Sequence, residues 1–343
     1  FYSKLSTFVT DGGSYFGKSM RENLHQGFKL HVICWAHCLH LVGLVFIEHE
    51  LLHGVDKFIS DLNAIFSKST KIKSDFGIFL EQRFIEIGMP PSFCITRWNS
   101  WLESVRYHQQ NLRLEAEFIT QQQQKQPESA YLQRLLAAVS DEEKIVCLQN
   151  KMNFIVDQTK QLHELTEAII ERKVSAPTLH DRMQDIEATW IATSKQLVLP
   201  DAQKLLIQVV VQSLAKLQSV RQNNPSSRFF QVCRYFNPKK RVLATVQTNL
   251  AMDAIPWWGE DHQKEWTTYL HDPEFDELKD CDISLVKVWA AFESRYPNLA
   301  PLAQKCITVP VSSIDAERRF SKYRDILSDK RRNLSEESLK ALL

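Results

Sequence analysis

Two stretches near the start, Leu5–Gly13 (LSTFVTDGG) and Lys29–Leu41 (KLHVICWAHCLHL), decide how the chain begins. The first is a short apolar, β-branched run from Leu5 to Thr10, stopped by Asp11 and a Gly12-Gly13 pair, which predicts a strand and then a turn. Ser14 to Leu24 predicts a helix. Lys29 to Cys34 predicts a second strand. From Trp35 to about Leu52, apolar residues at Leu39, Val42, Val45 and Phe46 follow helical spacing. Strand, helix, strand, helix is the rhythm of a mixed α/β sheet.

Pro90 and Pro91 then punctuate the chain before a further strand candidate, Phe93–Thr96 (FCIT). From Asn99 to about Asp282 the pattern is helical, clearest at Leu132–Val139, Ile145–Leu165 and Leu205–Leu217. Gln121–Gln124 is a small low-complexity patch, expected at a helix end or loop, and Asn223–Ser227 (NNPSS) is a break. Near the end, Val286–Glu293 predicts a helix that Tyr296-Pro297 interrupts, Leu299–Lys305 predicts another, and Pro310 precedes a third. Ser312 with Asp315 has the spacing of a capping box for that third helix. Ser335 predicts the cap of the last helix, with Leu334 and Leu339 as a hydrophobic staple.

Bulk numbers exclude more than they identify. The 343 residues are 44% apolar, enough to bury a sizeable core, and only nine glycines argue against a mainly β chain. Lys+Arg is 42 against 41 Asp+Glu, so net charge does not point to nucleic acid and any such role rests on local patches. Seven irregularly placed cysteines suit a reducing compartment better than a disulfide framework. The longest apolar stretch, Cys38–Ile47, is interrupted by His40 and Gly43 and is too short for a span. The chain starts at Phe1 rather than Met, so a fragment with elements missing upstream is expected.

Four separated segments, in order, resemble the hAT transposase superfamily. They are Val9-Thr10-Asp11-Gly12-Gly13; Cys34-Trp35-Ala36-His37-Cys38-Leu39-His40-Leu41; Thr96-Arg97-Trp98-Asn99-Ser100; and the run from Trp289 through Tyr296-Pro297, Leu302-Ala303 and Val309-Pro310 to Glu317-Arg318-Arg319-Phe320-Ser321, continuing to Lys330–Leu334. The fourth is long and specific. The resemblance implies an α/β fold with an RNase H-like core, here partial and lacking its first strands. It adds a large, mostly α-helical insertion and a helical C-terminal dimerisation segment. The corresponding divisions are 1–98 for the partial core, 99–282 for the insertion and 283–343 for the dimerisation region with the last core helix.

In that family three carboxylates hold two divalent ions. Two magnesium ions about 4 Å apart activate the attacking oxygen and stabilise the leaving one in an in-line phosphoryl transfer, and hard ions take carboxylate oxygens. By resemblance Asp11 is the second acid and Glu317 the third, with Mg or Mn as cofactor if the protein is catalytic. The first acid is expected upstream of Phe1. Departures from the family pattern stand at His40, at Asp315 and at Ala316, where a serine is usual.

Each residue also has a plainer reading. Asp11 suits a turn after a strand. Cys34, His37, Cys38 and His40 suggest a zinc cluster at first sight, but a second Cys/His pair at a sensible distance is lacking, which favours packing beside the site, with Cys34 and His37 on one helix face. Arg97 and Trp98 are either a salt bridge and a core indole or, as the resemblance implies, DNA-contacting residues whose indole stacks on a base. Glu317 sits in the first turns of a capped helix, where the dipole favours any carboxylate. Phe320, Tyr323 and Leu327 share a helical face; with Trp289 and Leu334 the resemblance makes them dimerisation residues rather than ordinary core. Basic residues cluster at Arg318, Arg319, Lys322, Arg324 and Lys330–Arg332, and again at Lys239–Arg241; these suit solvated faces or phosphate contacts. Trp257, Trp258 and Trp266 suit packing.

The resulting expectation is a nuclear, transposase-derived protein forming a homodimer or higher oligomer and associating with DNA, with no membrane and no small-molecule substrate. The alternative is a domesticated, non-catalytic dimeric scaffold or DNA-binding transcriptional regulator. For the chain by itself, self-association without catalysis is expected.

Overall fold

The computed structural model describes residues 7–11, 29–92, 98–196, 201–241, 252–278, 284–316 and 318. The expected helix Ser14–Leu24, the strand Phe93–Thr96, and the Ser335 cap with its Leu334–Leu339 staple lie outside these residues. Strands β1 (Thr7–Thr10) and β2 (Leu30–Ile33) pair in parallel, with Thr7 opposite Leu30 and Thr10 opposite Ile33. A parallel pair cannot be closed by a tight hairpin, which agrees with the long connection between them. The rest of the described chain is mostly helical. The fold is thus α/β at its start with a predominantly helical remainder.

Helix α1 is Trp35–Glu48, followed by α2 (His53–Lys68), α3 (Thr70–Glu81), α4 (Trp98–Lys125), α5 (Ala130–Ala138), α6 (Glu142–Ile170), α7 (Ala176–Ser194) and α8 (Asp201–Asn223). After the Asn223–Ser227 break come α9 (Ser227–Cys233), α10 (Glu260–His271), α11 (Glu274–Glu277), α12 (Leu285–Ala291) and α13 (Leu299–Ile307). Helices α2 and α3 fill most of the stretch between Leu52 and Pro90, which the sequence pattern leaves unassigned. Among the described residues no single helix is long and apolar enough to cross a membrane.

The chain divides into two compact units, residues 1–38, 165–185 and 219–343 in one and 39–164 with 186–218 in the other. In the second, an aromatic cluster of Phe66, Phe76, Phe79 and Phe118 joins α2, α3 and α4, with ring centroids 4.9–6.3 Å apart. Ser69 separates α2 from α3 and caps α3, accepting the Ile72 N–H at 3.2 Å, as short hydroxyl side chains do at a helix start. α3 ends in a Schellman turn: Ile85 N–H returns to Leu80 O and Phe84 N–H to Glu81 O, both 3.1 Å. Phe84 takes the left-handed position, φ 56°, that glycine usually fills. On α1, Gly43 lies against the Trp98 indole so closely that a Cβ would overlap the ring.

The first unit holds the sheet and a denser aromatic core. Phe236, Trp266, Tyr269, Phe275, Trp289 and Tyr296 meet ring to ring, mostly edge-on or tilted, as ring quadrupoles favour. Their polar ends are matched to buried acceptors: Trp289 Nε1 donates to Phe236 O (2.8 Å), Tyr269 Oη to Tyr235 O (2.9 Å) and Tyr296 Oη to Asp272 Oδ2 (2.6 Å). Arg241, only 2% exposed, donates to the carbonyls of Tyr269 and Asp272 and to the Asp276 carboxylate. Glu265 accepts the Leu299 N–H at 2.6 Å and so satisfies the start of α13.

Forcing a methyl into the α1 contact tests the second unit. Gly43→Ala is expected to destabilise it by about 1–3 kcal/mol, the usual cost of overpacking, read by thermal or urea denaturation. An unchanged transition would mean that Trp98 does not seat against Gly43.

Candidate functional site

The candidate site forms where the carboxyl edge of the parallel pair meets the C-terminal segment, the edge at which open α/β sheets commonly place ligands. Cys34 is the joint. Its backbone N–H donates to Thr10 O at 2.6 Å, extending the ladder by one bond beyond β2. The next N–H, Trp35, donates to Val311 O at 3.0 Å, and the Ser313 N–H reaches the Cys34 Sγ at 3.3 Å. Thr10, directly before Asp11, is further held by His31, Oγ1 to Nε2 3.0 Å. Asn224 closes the other side: its Nδ2 donates to Ile33 O (3.0 Å) while its Oδ1 accepts from the Ser226 N–H and hydroxyl.

From that joint the C-terminal segment turns helical at residues 314–316 and 318. Arg172 meets it from the end of α6. Like Phe84, Arg172 occupies the left-handed corner of a Schellman turn, φ 62°, with Lys173 N–H on Ala168 O (2.7 Å) and its own N–H on Ile169 O (3.1 Å). Its Nε donates to Asp315 Oδ1 at 2.8 Å, and Arg318 donates to Ile170 O at 3.2 Å. The expected capping box gives Asp315 the task of reaching back toward its own helix start; instead its carboxylate is engaged by Arg172. Arg172, Asp315, Lys173, Lys239, Val309 and Pro310 line part of a cavity of about 720 Å³.

Asp11 follows β1 and is exposed. Glu317, Arg97, Phe320, Tyr323, Leu327 and Leu334 lie outside the described residues, as does the basic run beyond Arg318. Cys34 is buried while His37, on the first turn of α1, is exposed, so the two do not share one buried face. Burial first, and the neighbouring Cys34 second, push the Cys38 thiol up to about 12; a thiol in such surroundings behaves as a packing group. Among the described residues no three His, Cys, Asp or Glu side chains converge to hold an ion, so the described donor set does not make up the two-metal site that the resemblance implies.

Two expected contact residues turn out to be core. Trp98 is 1% exposed, so its indole is not presented for stacking on a base. Trp289 is fully buried and bonded to Phe236 O, so it supports the fold of the C-terminal region from inside and offers no surface to a partner. The Lys239–Arg241 run is not a free phosphate-binding stripe either. Arg241 is the buried anchor described above, and Lys240 pairs with Asp181 at 3.1 Å. Trp266 packs in the core as expected, whereas Trp257 carries the Lys305 ammonium 4.1 Å above its ring. Sequence reasoning missed Arg172; it marked Asn224 only through the NNPSS break and Arg241 only as part of a basic run, without the role of either.

Residues 265–343 match the family model of the hAT family C-terminal dimerisation region. This part of the chain is therefore similar to a hAT-type dimerisation region, a match that supports a relation to hAT transposases. A comparison with the curated proteins gives no match.

Electrostatics in the same unit predict a pH response. His180 is buried on α7, and burial first, then the Arg221 and Arg234 guanidiniums, pull its pKa down to about 4. Arg221 lies 3.4 Å from its Nδ1, a contact that suits a neutral ring with an open lone pair. Below the ordinary imidazole value the unfolded chain binds a proton that the folded one refuses, so stability is full near neutral pH and falls as pH drops from about 6.5 toward 4. Urea unfolding at pH 7 and pH 5 should show His180→Gln losing less stability on acidification than the parent, by on the order of 1–2 kcal/mol. Equal losses would remove His180 as the source.

Proposed function

We propose that the chain is a hAT transposase-derived protein that pairs with a second copy of itself through residues 265–343 and associates with DNA in the nucleus. The observation that carries this reading is the match of that segment to a dimerisation region. The dense basic run from Arg318 to Arg332 supports the DNA partner, since phosphate contacts come from such clusters.

The finer reading is an RNase H-like core. Its support is the parallel pair that delivers Asp11 at its carboxyl edge, together with the Cys34 joint that brings the segment leading to Glu317 to that same edge. In this reading Asp11 and Glu317 are the inherited acids and Mg or Mn the ion they would take, supplying charge neutralisation at phosphate. Self-association requires none of that chemistry, so the domesticated scaffold rests on the same match.

Sedimentation of the full chain beside Phe320→Asp tests the core of the proposal. A dimer that the variant dissociates is expected; a chain that stays monomeric at high concentration would overturn it. Binding to duplex DNA should also weaken steeply with salt, several tenfold steps between about 50 and 200 mM if six or more phosphates are contacted.

A further inference from the structure

Two hydrogen bonds run in opposite directions between the end of α6 and the helical residues 314–316 and 318. Arg172 donates from the α6 corner to Asp315, and Arg318 donates from that segment back to Ile170 O, the last residue of α6. The second bond puts a cation on a carbonyl that a helix C-terminus leaves without a partner, at the negative end of its dipole. The first depends on an unusual backbone. A left-handed corner of this kind is most easily filled by glycine, yet arginine stands there, and its guanidinium meets Asp315, one of the positions where the sequence departs from the pattern it otherwise resembles.

We propose that Arg172 and Asp315, with Arg318, form an ionic latch that docks residues 314–316 and 318 onto the end of α6. Arg172 and Asp315 are then positioning residues for the segment that carries Glu317 and leads into the dimerisation helices; assigning Glu317 a task rests on the proposed function, whereas the latch does not. Both partners are well exposed, at 68% and 53%. An exposed pair gains little net free energy and is screened by salt, so the latch opens readily and sets how much of the time that segment is docked.

Hydrogen exchange on the full chain, followed at the peptide spanning residues 312–318, reads that fraction directly. Arg172→Gly removes the guanidinium while suiting the left-handed corner; Asp315→Asn removes the carboxylate charge. Each should speed exchange in this peptide roughly two- to fivefold, the range an exposed ion pair supplies, with the thermal midpoint of Arg172→Gly unchanged or raised. The charge swap Arg172→Asp with Asp315→Arg should restore the parent rate, and about 1 M salt should bring the parent toward the single variants. Parent-like exchange in both single variants overturns the latch. So does faster exchange throughout residues 165–185 in Arg172→Gly, which would make Arg172 a corner residue only, and so does a swap that fails to restore. Sedimentation of the same samples separates the two claims: a monomeric parent sinks the self-association reading, while the exchange rates still decide the latch.

Discussion

The Cys34–Trp35 junction is the constraint on which the candidate site depends. A strand pair of four residues each is too short to hold geometry by itself. Here its carboxyl edge is locked by consecutive backbone donors, Cys34 to Thr10 and Trp35 to Val311, with the thiol between them taking a third bond from Ser313. Residues far apart in sequence are thereby fixed at one edge. A buried sulfur is a weak acceptor, but an N–H left with no partner in that place would cost more. This accounts for a cysteine at the position without any metal or redox task.

Local patterns were legible where one element decides them. The β-branched run before Asp11, the spacing of Val42 and Phe46, the NNPSS break and the helix–break–helix around Tyr296-Pro297 all appear at or near their expected residues. Helices α2 and α3 went unread even though Val55, Phe58, Ile59, Leu62, Ile65 and Phe66 follow helical spacing and are all buried. What sequence could not supply was the choice between core and contact for large aromatics. Trp98 and Trp289 suit either role by type, and only the Gly43 seat and the Phe236 carbonyl decide. Arg172 gave no signal at all, because nothing local marks an arginine that will take a glycine's backbone.

The same limit applies to charge. Lys239, Lys240 and Arg241 look alike in a row, but a short 3-10 turn at Pro238–Lys240 sends neighbouring side chains in different directions. Arg241 enters the core while Lys239 stays at the surface. A buried guanidinium is tolerated only when its charge and most of its donors are met; the Tyr269 and Asp272 carbonyls with Asp276 engage its two terminal nitrogens, while Nε is left without a partner among the described residues. A run of cations is therefore evidence about surface only after each has been asked for its acceptors.

That accounting also relocates the start of the C-terminal region. The family match begins at residue 265, but the core beneath it draws on earlier residues: Phe236 supplies both a ring and a carbonyl to Trp289, Tyr235 accepts from Tyr269, and Arg241 stitches α10 to α11. Cutting the chain at the sequence boundary would strand the indole N–H of Trp289 and the hydroxyl of Tyr269 and leave Asp276 without its guanidinium. Unmet buried polar groups cost about 1–3 kcal/mol each, a large share of what a small domain has in reserve. The unit that folds thus reaches back at least to Tyr235, and the surface it offers a partner must be sought on residues that this core does not already cover.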